Sequence, residues 1–200
     1  FIEPSNYILT KPTQELNHIL SARCYYNLFS PELCAAICYR YLNNHPRGRY
    51  RDVALYYAAK SSVSQDDARI ARLNYEKLLR EHPDSPWVTL AGPELAELYF
   101  NAAEYPKAEA LYESILSAGN VHPALYLRLA QTYYYQDKYA EAEDLMKNNL
   151  DPEEDFEAAL LMASIAFSGK DFNGALESYT RAENLAETSD QKTEALSYRA

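Results

Sequence analysis

From Thr13 onward the chain alternates between stretches of helical spacing and short polar or proline-bearing breaks. Leu16, Ile19 and Leu20, then Tyr25 and Tyr26, recur at three- and four-residue intervals, which predicts a first helix. Ser30-Pro31 then supplies a cap residue followed by proline at the first turn, and PELCAAICYRYLNNHP reads as a second helix closed by Pro46. The same alternation continues to the end. It predicts helix pairs at about 13–46, 50–83, 87–118, 122–150 and 153–186, with a further helix from about Ser189. Residues 1–12 carry two prolines and no period, so an extended lead-in is expected there.

The pattern repeats residue by residue. Leu95, Ala96, Tyr99, Tyr105 and Ala108 return as Leu129, Ala130, Tyr133, Tyr139 and Ala142, each 34 positions later. Cys34, Cys38, Tyr41, Leu42, His45 and Pro46 match Ala71, Tyr75, Leu78, Leu79, His82 and Pro83 at an offset of 37, and Ala59 matches Ala96 at the same offset. Phe172 and Ala175 follow Tyr139 and Ala142 at 33. A period of this size, with a small residue at the eighth position and an aromatic at the eleventh, resembles the tetratricopeptide repeat. The resemblance covers nearly all of 13–200. It departs from the family at position four (Gly92, Ala159) and at the turn glycine (Ala103, Asp137). It implies an all-α fold, a right-handed α-α superhelix with a concave inner wall. The 37-residue spacing and the phrases NNHPRG and EHPDSP are similar to the longer repeats of bacterial envelope proteins, such as outer-membrane assembly lipoproteins and periplasmic cell-division coordinators.

Composition narrows the function classes. A net charge of −10 makes nucleic acid a poor partner, because phosphate binding needs clustered Lys and Arg. The run Arg47, Arg49, Arg51 is short and reads as a solvated turn. No apolar run is long enough for a transmembrane helix. The Phe1 start without a signal-peptide pattern, and the close TEALSYRA, favour a removed leader or a piece of a longer protein. The 19 tyrosines combine apolar bodies with polar tips, suited both to inter-helix gaps and to a wet groove.

Candidate chemistry is sparse. Cys34 and Cys38 share one helical face at packing positions, so Cys24, Cys34 and Cys38 read first as buried structural thiols. A bridge from Cys24 to one of the others, or a metal, are the alternatives. His45, His82 and His122 each precede a proline and read as turn residues, with His18 apart. Asp66-Asp67 and Glu153-Glu154-Asp155 sit at predicted helix starts, where negative charge complements the helix dipole. No phosphate loop, nucleophile elbow or zinc-protease motif is present, so no enzyme, cofactor or metal is expected.

The resemblance points instead to the concave groove. Carrying the family's groove positions onto this chain selects Arg23 and Tyr26, then Tyr56 and Lys60. Glu97, Phe100 and Asn101 follow, then Leu127, Gln131, Tyr134 and Tyr135, and last Phe167. The Lys/Asn pattern of the co-chaperone carboxylate clamp is absent. A row of aromatics with interspersed amides suits an extended or helical peptide, and packing between repeats is the competing explanation of the same rings. The expected function is a non-catalytic protein–protein adaptor, periplasmic or outer-membrane-associated, with the cytoplasm as the alternative setting. A structural spacer inside a longer repeat protein and a glycan-facing module of polysaccharide export or cell-wall handling are the rival readings. Exposed repeat ends would allow homo-oligomers.

Overall fold

Five helix-to-helix connections share one backbone solution, and it sets the architecture. In the computed structural model, which describes residues 11–119 and 122–199, Phe29, Asp66, Ala103, Asp137 and Lys170 all adopt the left-handed conformation, with φ between 56° and 66°. The residue after each one donates its N–H back five positions. The bonds are Ser30 to Tyr25 at 3.0 Å, Asp67 to Ser62 at 2.9 Å, Glu104 to Tyr99 at 2.9 Å, Lys138 to Tyr133 at 3.0 Å and Asp171 to Ala166 at 2.9 Å. This is the Schellman closure, which satisfies the orphan carbonyls of one helix end. The donor residue is also the N-cap of the next helix. Each turn is thus only a few residues long, and the chain reverses direction through it.

Eleven helices are present among the described residues: α1 (Lys11–Asn27), α2 (Pro31–Asn44), α3 (Arg51–Ser64), α4 (Ala68–Glu81), α5 (Pro86–Asn101), α6 (Tyr105–Ser117), α7 (Pro123–Tyr134), α8 (Tyr139–Asn149), α9 (Phe156–Ser168), α10 (Phe172–Leu185) and α11 (Ser189–Arg199). The first helices of the successive repeats are α1, α3, α5, α7 and α9. The expected lead-in lies outside the described residues up to position 10, and α1 already includes Lys11 and Pro12.

The chain divides into two compact units, Phe1–Leu98 and Tyr99–Ala200, and α5 carries the boundary. In the first unit, α1 to α4 pack consecutively and α1 also touches α3. Its contact positions are small, with Ala22, Ala54, Ala58, Ala59 and Ala71 fully buried, so the backbones approach closely and Tyr41 and Tyr75 fill the space around them. In the second unit α6 to α11 pack in order, and α7 touches α9. One core cluster there joins Ala130, Ala142, Met146, Ala158, Leu161 and Ile165.

Several sequence expectations change at this level. Cys34 and Cys38 are buried, but Cys24 is exposed, because it falls on the outer face of α1; all three are free thiols. The hydrogen bond to Cys34 and burial push the Cys38 thiol up, so it stays protonated. Arg51 is not solvated. Its guanidinium donates to the carbonyls of Leu42 (3.0 Å) and His45 (3.3 Å), closing the end of α2, and pairs with Glu81 at 3.6 Å. His45 and His82 are C-caps of α2 and α4, and His122 caps α7 by accepting from the N–H of Ala124. Of the acidic clusters, Asp67 and Asp155 cap α4 and α9, accepting from Ile70 N and Ala158 N, whereas Asp66 takes the left-handed turn.

A polar knot seals the first pair. The Tyr41 hydroxyl donates to Glu15 Oε2 at 2.8 Å and accepts from the N–H of Tyr50 at 3.0 Å. Glu15 also accepts from Arg49 N. Gly48 is required here, since a Cβ would lie 2.3 Å from the Tyr41 hydroxyl. Burial, together with the carboxylate of Glu15, pushes the Tyr41 phenol up to about 12, against the N–H of Tyr50, which favours the phenolate.

Candidate functional site

The first helices of each unit carry the aromatic positions selected from sequence, and the two units surround them differently. In the first unit, Glu94 on α5 gathers three partners. Lys60 Nζ lies 3.0 Å from Glu94 Oε1, the Tyr56 hydroxyl donates to the same oxygen at 3.3 Å, and the Tyr75 hydroxyl donates to Oε2 in a short hydrogen bond. Burial first, and then the carboxylate, raises the pKa of both Tyr56 and Tyr75, so both remain donors. Lys60 is raised as well. Desolvation opposes the ammonium form, but the Glu94 hydrogen bond and charge outweigh it. Around this centre the rings interlock: Tyr56 with Trp87 at 4.9 Å, Tyr57 with Trp87 at 5.7 Å, and Tyr26 edge-on to Tyr57 at 5.5 Å. Tyr56 is only 9 % exposed.

In the second unit the aromatic wall is open. Phe100, Tyr105 and Tyr135 form a triangle, with Tyr105 stacked on Tyr135 at 5.2 Å and Phe100 edge-on to each at 5.7 Å. Tyr134 joins at 5.5 Å from Tyr135 and reaches Tyr139 at 5.7 Å. The Arg128 guanidinium lies over the Phe100 ring at 5.2 Å and donates to Gln131 Oε1 at 2.9 Å. Further along, Phe167 meets Phe172 edge-on at 5.6 Å. Tyr135 is 55 % exposed and Phe167 54 %. These rings are held in place by packing on one side and left accessible on the other.

The structure therefore sorts the residues selected from sequence. Phe100, Gln131, Tyr134 and Tyr135 come together, and Tyr56 and Lys60 come together on Glu94. Tyr26 is half-buried and lines a cleft of about 610 Å³ with Asn27, Phe29, Pro31 and Ser64. Arg23 and Asn101 are exposed, and Glu97 is half-buried on α5. Leu127 packs against the second unit's core cluster. Sequence reasoning missed Glu94, Trp87, Tyr75 and Tyr105. A signal existed for the first: Lys60 and Glu94 are 34 residues apart, one repeat length, the spacing also seen between Ser168 and the Tyr134 hydroxyl it bonds. Among the described residues, no group of three His, Cys, Asp or Glu is arranged to hold a metal, and no helix is long and apolar enough to cross a membrane.

A model of the tetratricopeptide repeat-like domain matches residues 32–198. The chain belongs to this family. Solved structures share its fold at low identity. MamA from Desulfovibrio magneticus RS-1 (residues 41 to the end) superposes with a TM-score of 0.74 at 16 % identity, over 90 % of this chain and 98 % of that one. YrrB, described as a TPR protein with an unusual peptide-binding site, gives a TM-score of 0.77 at 14 % identity, over 90 % of each. The thermophilic TPR protein TTC0263 of Thermus thermophilus gives 0.57 at 19 % identity, over 92 % of this chain and 97 % of that one. No curated protein matches the sequence significantly. The fold class is all-α and tetratricopeptide-like. Tetratricopeptide repeat proteins are in general non-catalytic scaffolds for protein partners.

Proposed function

We propose that the protein is a non-catalytic adaptor that holds a segment of a partner protein on the open aromatic wall of its second unit. The observation that carries this reading is the exposure of Tyr135 and Phe167, more than half each, on rings already oriented by Tyr105 and Phe172. Rigid, partly buried aromatics are efficient anchors, because little side-chain entropy remains to be lost on binding. Gln131 and the Tyr134 hydroxyl, on the helix whose C-cap is Tyr135, supply hydrogen-bonding groups near it, which suits the backbone of an extended or helical peptide. YrrB, a fold relative, is itself described as having a peptide-binding site, which supports the same use of this architecture. The proposal includes an envelope setting, which the 37-residue repeat style supports.

Site-specific photo-cross-linking tests this. A benzophenone amino acid placed at Tyr135 or Phe167 should trap a discrete partner from a lysate of the source organism, and one placed at Leu73, an exposed position in the first unit, should not. Tyr135→Ala/Phe167→Ala, checked for helicity by circular dichroism, should lose that partner. Equal trapping from all three positions would overturn the wall as the site. Recovery of the partner from the cytosolic fraction alone would overturn the envelope setting.

A further inference from the structure

The second unit carries another cleft, formed by α8, α9 and α10 with residues 150–153 of the segment that joins α8 to α9. It has a volume of about 890 Å³ and meets the aromatic wall only at Tyr139, which belongs to both. Its floor is the outer edge of the core cluster, where Leu150 and Met162 are only partly covered and Ile165 lies beneath. Its rim is acidic: Glu143, Asp151, Glu153, Asp171 and Glu177 face two cations, Lys147 and Arg181, which leaves a net charge of −3 around the opening. The cations are already engaged. Lys147 pairs with Glu143, and Arg181 bridges Glu153 at 2.9 Å and Glu177 at 3.3 Å. Asp151 accepts from the N–H of Glu153, Asp171 accepts from that of Gly174, and neither is in an ion pair among the described residues.

We infer that this cleft docks a short basic segment of a partner protein. One or two apolar side chains of that segment would rest on Met162 and Leu150, and flanking Arg or Lys would meet Asp151, Glu153 and Glu177. Two features point to this occupant together. Apolar floor alone would accept many segments, and acidic rim alone would only attract cations. Their combination within one concave site selects a segment that is apolar at the centre and basic at both ends. Arg181 shows that the rim carboxylates are spaced to accept a guanidinium, since it already lies between two of them. The uncompensated charge would also speed encounter and make binding fall with salt.

The methionines provide a direct readout. The chain has two, Met146 and Met162; Met146 is fully buried, whereas Met162 lines the cleft. With methyl-labelled methionine, a synthetic hexapeptide of two leucines flanked on each side by two arginines should shift the Met162 methyl resonance and leave that of Met146 in place. By fluorescence anisotropy at low salt, Asp151→Asn/Glu177→Gln should weaken binding of that peptide about 10-fold, the scale expected from losing two close charge contacts. Asn at 151 keeps an oxygen for the N–H of Glu153, and Arg181 keeps Glu153, so the variant preserves local structure. Asp190→Asn/Glu194→Gln on α11 removes the same charge outside the cleft and should change affinity less than about 2-fold. The matched peptide with glutamates in place of arginines should not bind. Equal weakening by the two double variants would reduce the effect to bulk attraction by an acidic protein and overturn the site. An unmoved Met162 resonance at saturating peptide would overturn it as well.

Discussion

Around Tyr56 the first-helix wall of the first unit is closed, and around Tyr135 that of the second is open, although one repeat pattern builds both. In the first unit, a carboxylate on the next first helix lies within reach of two phenols and an ammonium, so Glu94 draws Tyr56, Tyr75 and Lys60 inward. In the second, Leu127 takes the repeat position of Tyr56 and the amide of Gln131 that of Lys60, and the ring set includes Phe100 and Phe167, which have no hydroxyl to be drawn. The rings pack on one another, Phe100 stays half-buried, and Tyr135 and Phe167 remain exposed. Tyr56 is withheld from a partner by Glu94 and Trp87, whereas Tyr135 is braced by Tyr105 and left open.

The largest expected effect tests the closed wall. Glu94→Ala leaves the fully buried Tyr75 hydroxyl without its acceptor and Lys60 without its counter-charge, and should cost about 3 kcal/mol in urea denaturation. Glu94→Gln retains one acceptor oxygen and should cost about half of that. If the two variants are equally mild, the hub does not hold the first unit's wall shut.

The shared turns come next. Phe29 in the first unit and Ala103 in the second both sit at φ 56° without being glycine. A left-handed residue with a Cβ costs roughly 1–2 kcal/mol, and part of that gain is offset by glycine's larger unfolded-state entropy. Phe29→Gly and Ala103→Gly should each raise stability by about 0.5–1 kcal/mol, visible as a higher thermal midpoint. Phe29 is 93 % exposed, so its loss removes little packing. A gain in one unit only would show that the turns are not equivalent.

The acid response should be weaker and centre on Glu15 in the first unit. The hydrogen bond from Tyr41 holds the Glu15 carboxyl below its ordinary value, and the Arg49 N–H and His45 add to this against desolvation. A depressed folded-state pKa stabilises at every pH above the ordinary carboxylate value and loses that contribution as pH falls through the folded value. Acid titration of stability should therefore steepen below about pH 4.5 in wild type, and Glu15→Gln should flatten it. The smallest effect belongs to the open wall. Tyr135→Ala/Phe167→Ala should cost no more than about 1 kcal/mol of stability, because exposed rings bury little area, yet should abolish partner capture. A large stability loss would class these rings as packing residues like Tyr56.

Much of this molecule is legible in its residues alone. Alanines at matched offsets, proline-bearing breaks and helical spacing mark the helices and the order in which they repeat, because small contact residues and turn chemistry are local properties that recur with the period. Even the left-handed turns are visible as the positions where the family's glycine is replaced by Ala103 and Asp137. Side-chain exposure is a different kind of property. Whether Tyr56 or Tyr135 faces a partner depends on groups dozens of residues away: Glu94 for one, Phe100 and Tyr105 for the other. Likewise, the cleft between α8 and α10 exists only because residues from 139 to 181 converge. Helices follow from neighbours a turn away along the chain, whereas the walls and clefts follow from neighbours brought near by packing, and only the tertiary structure decided those.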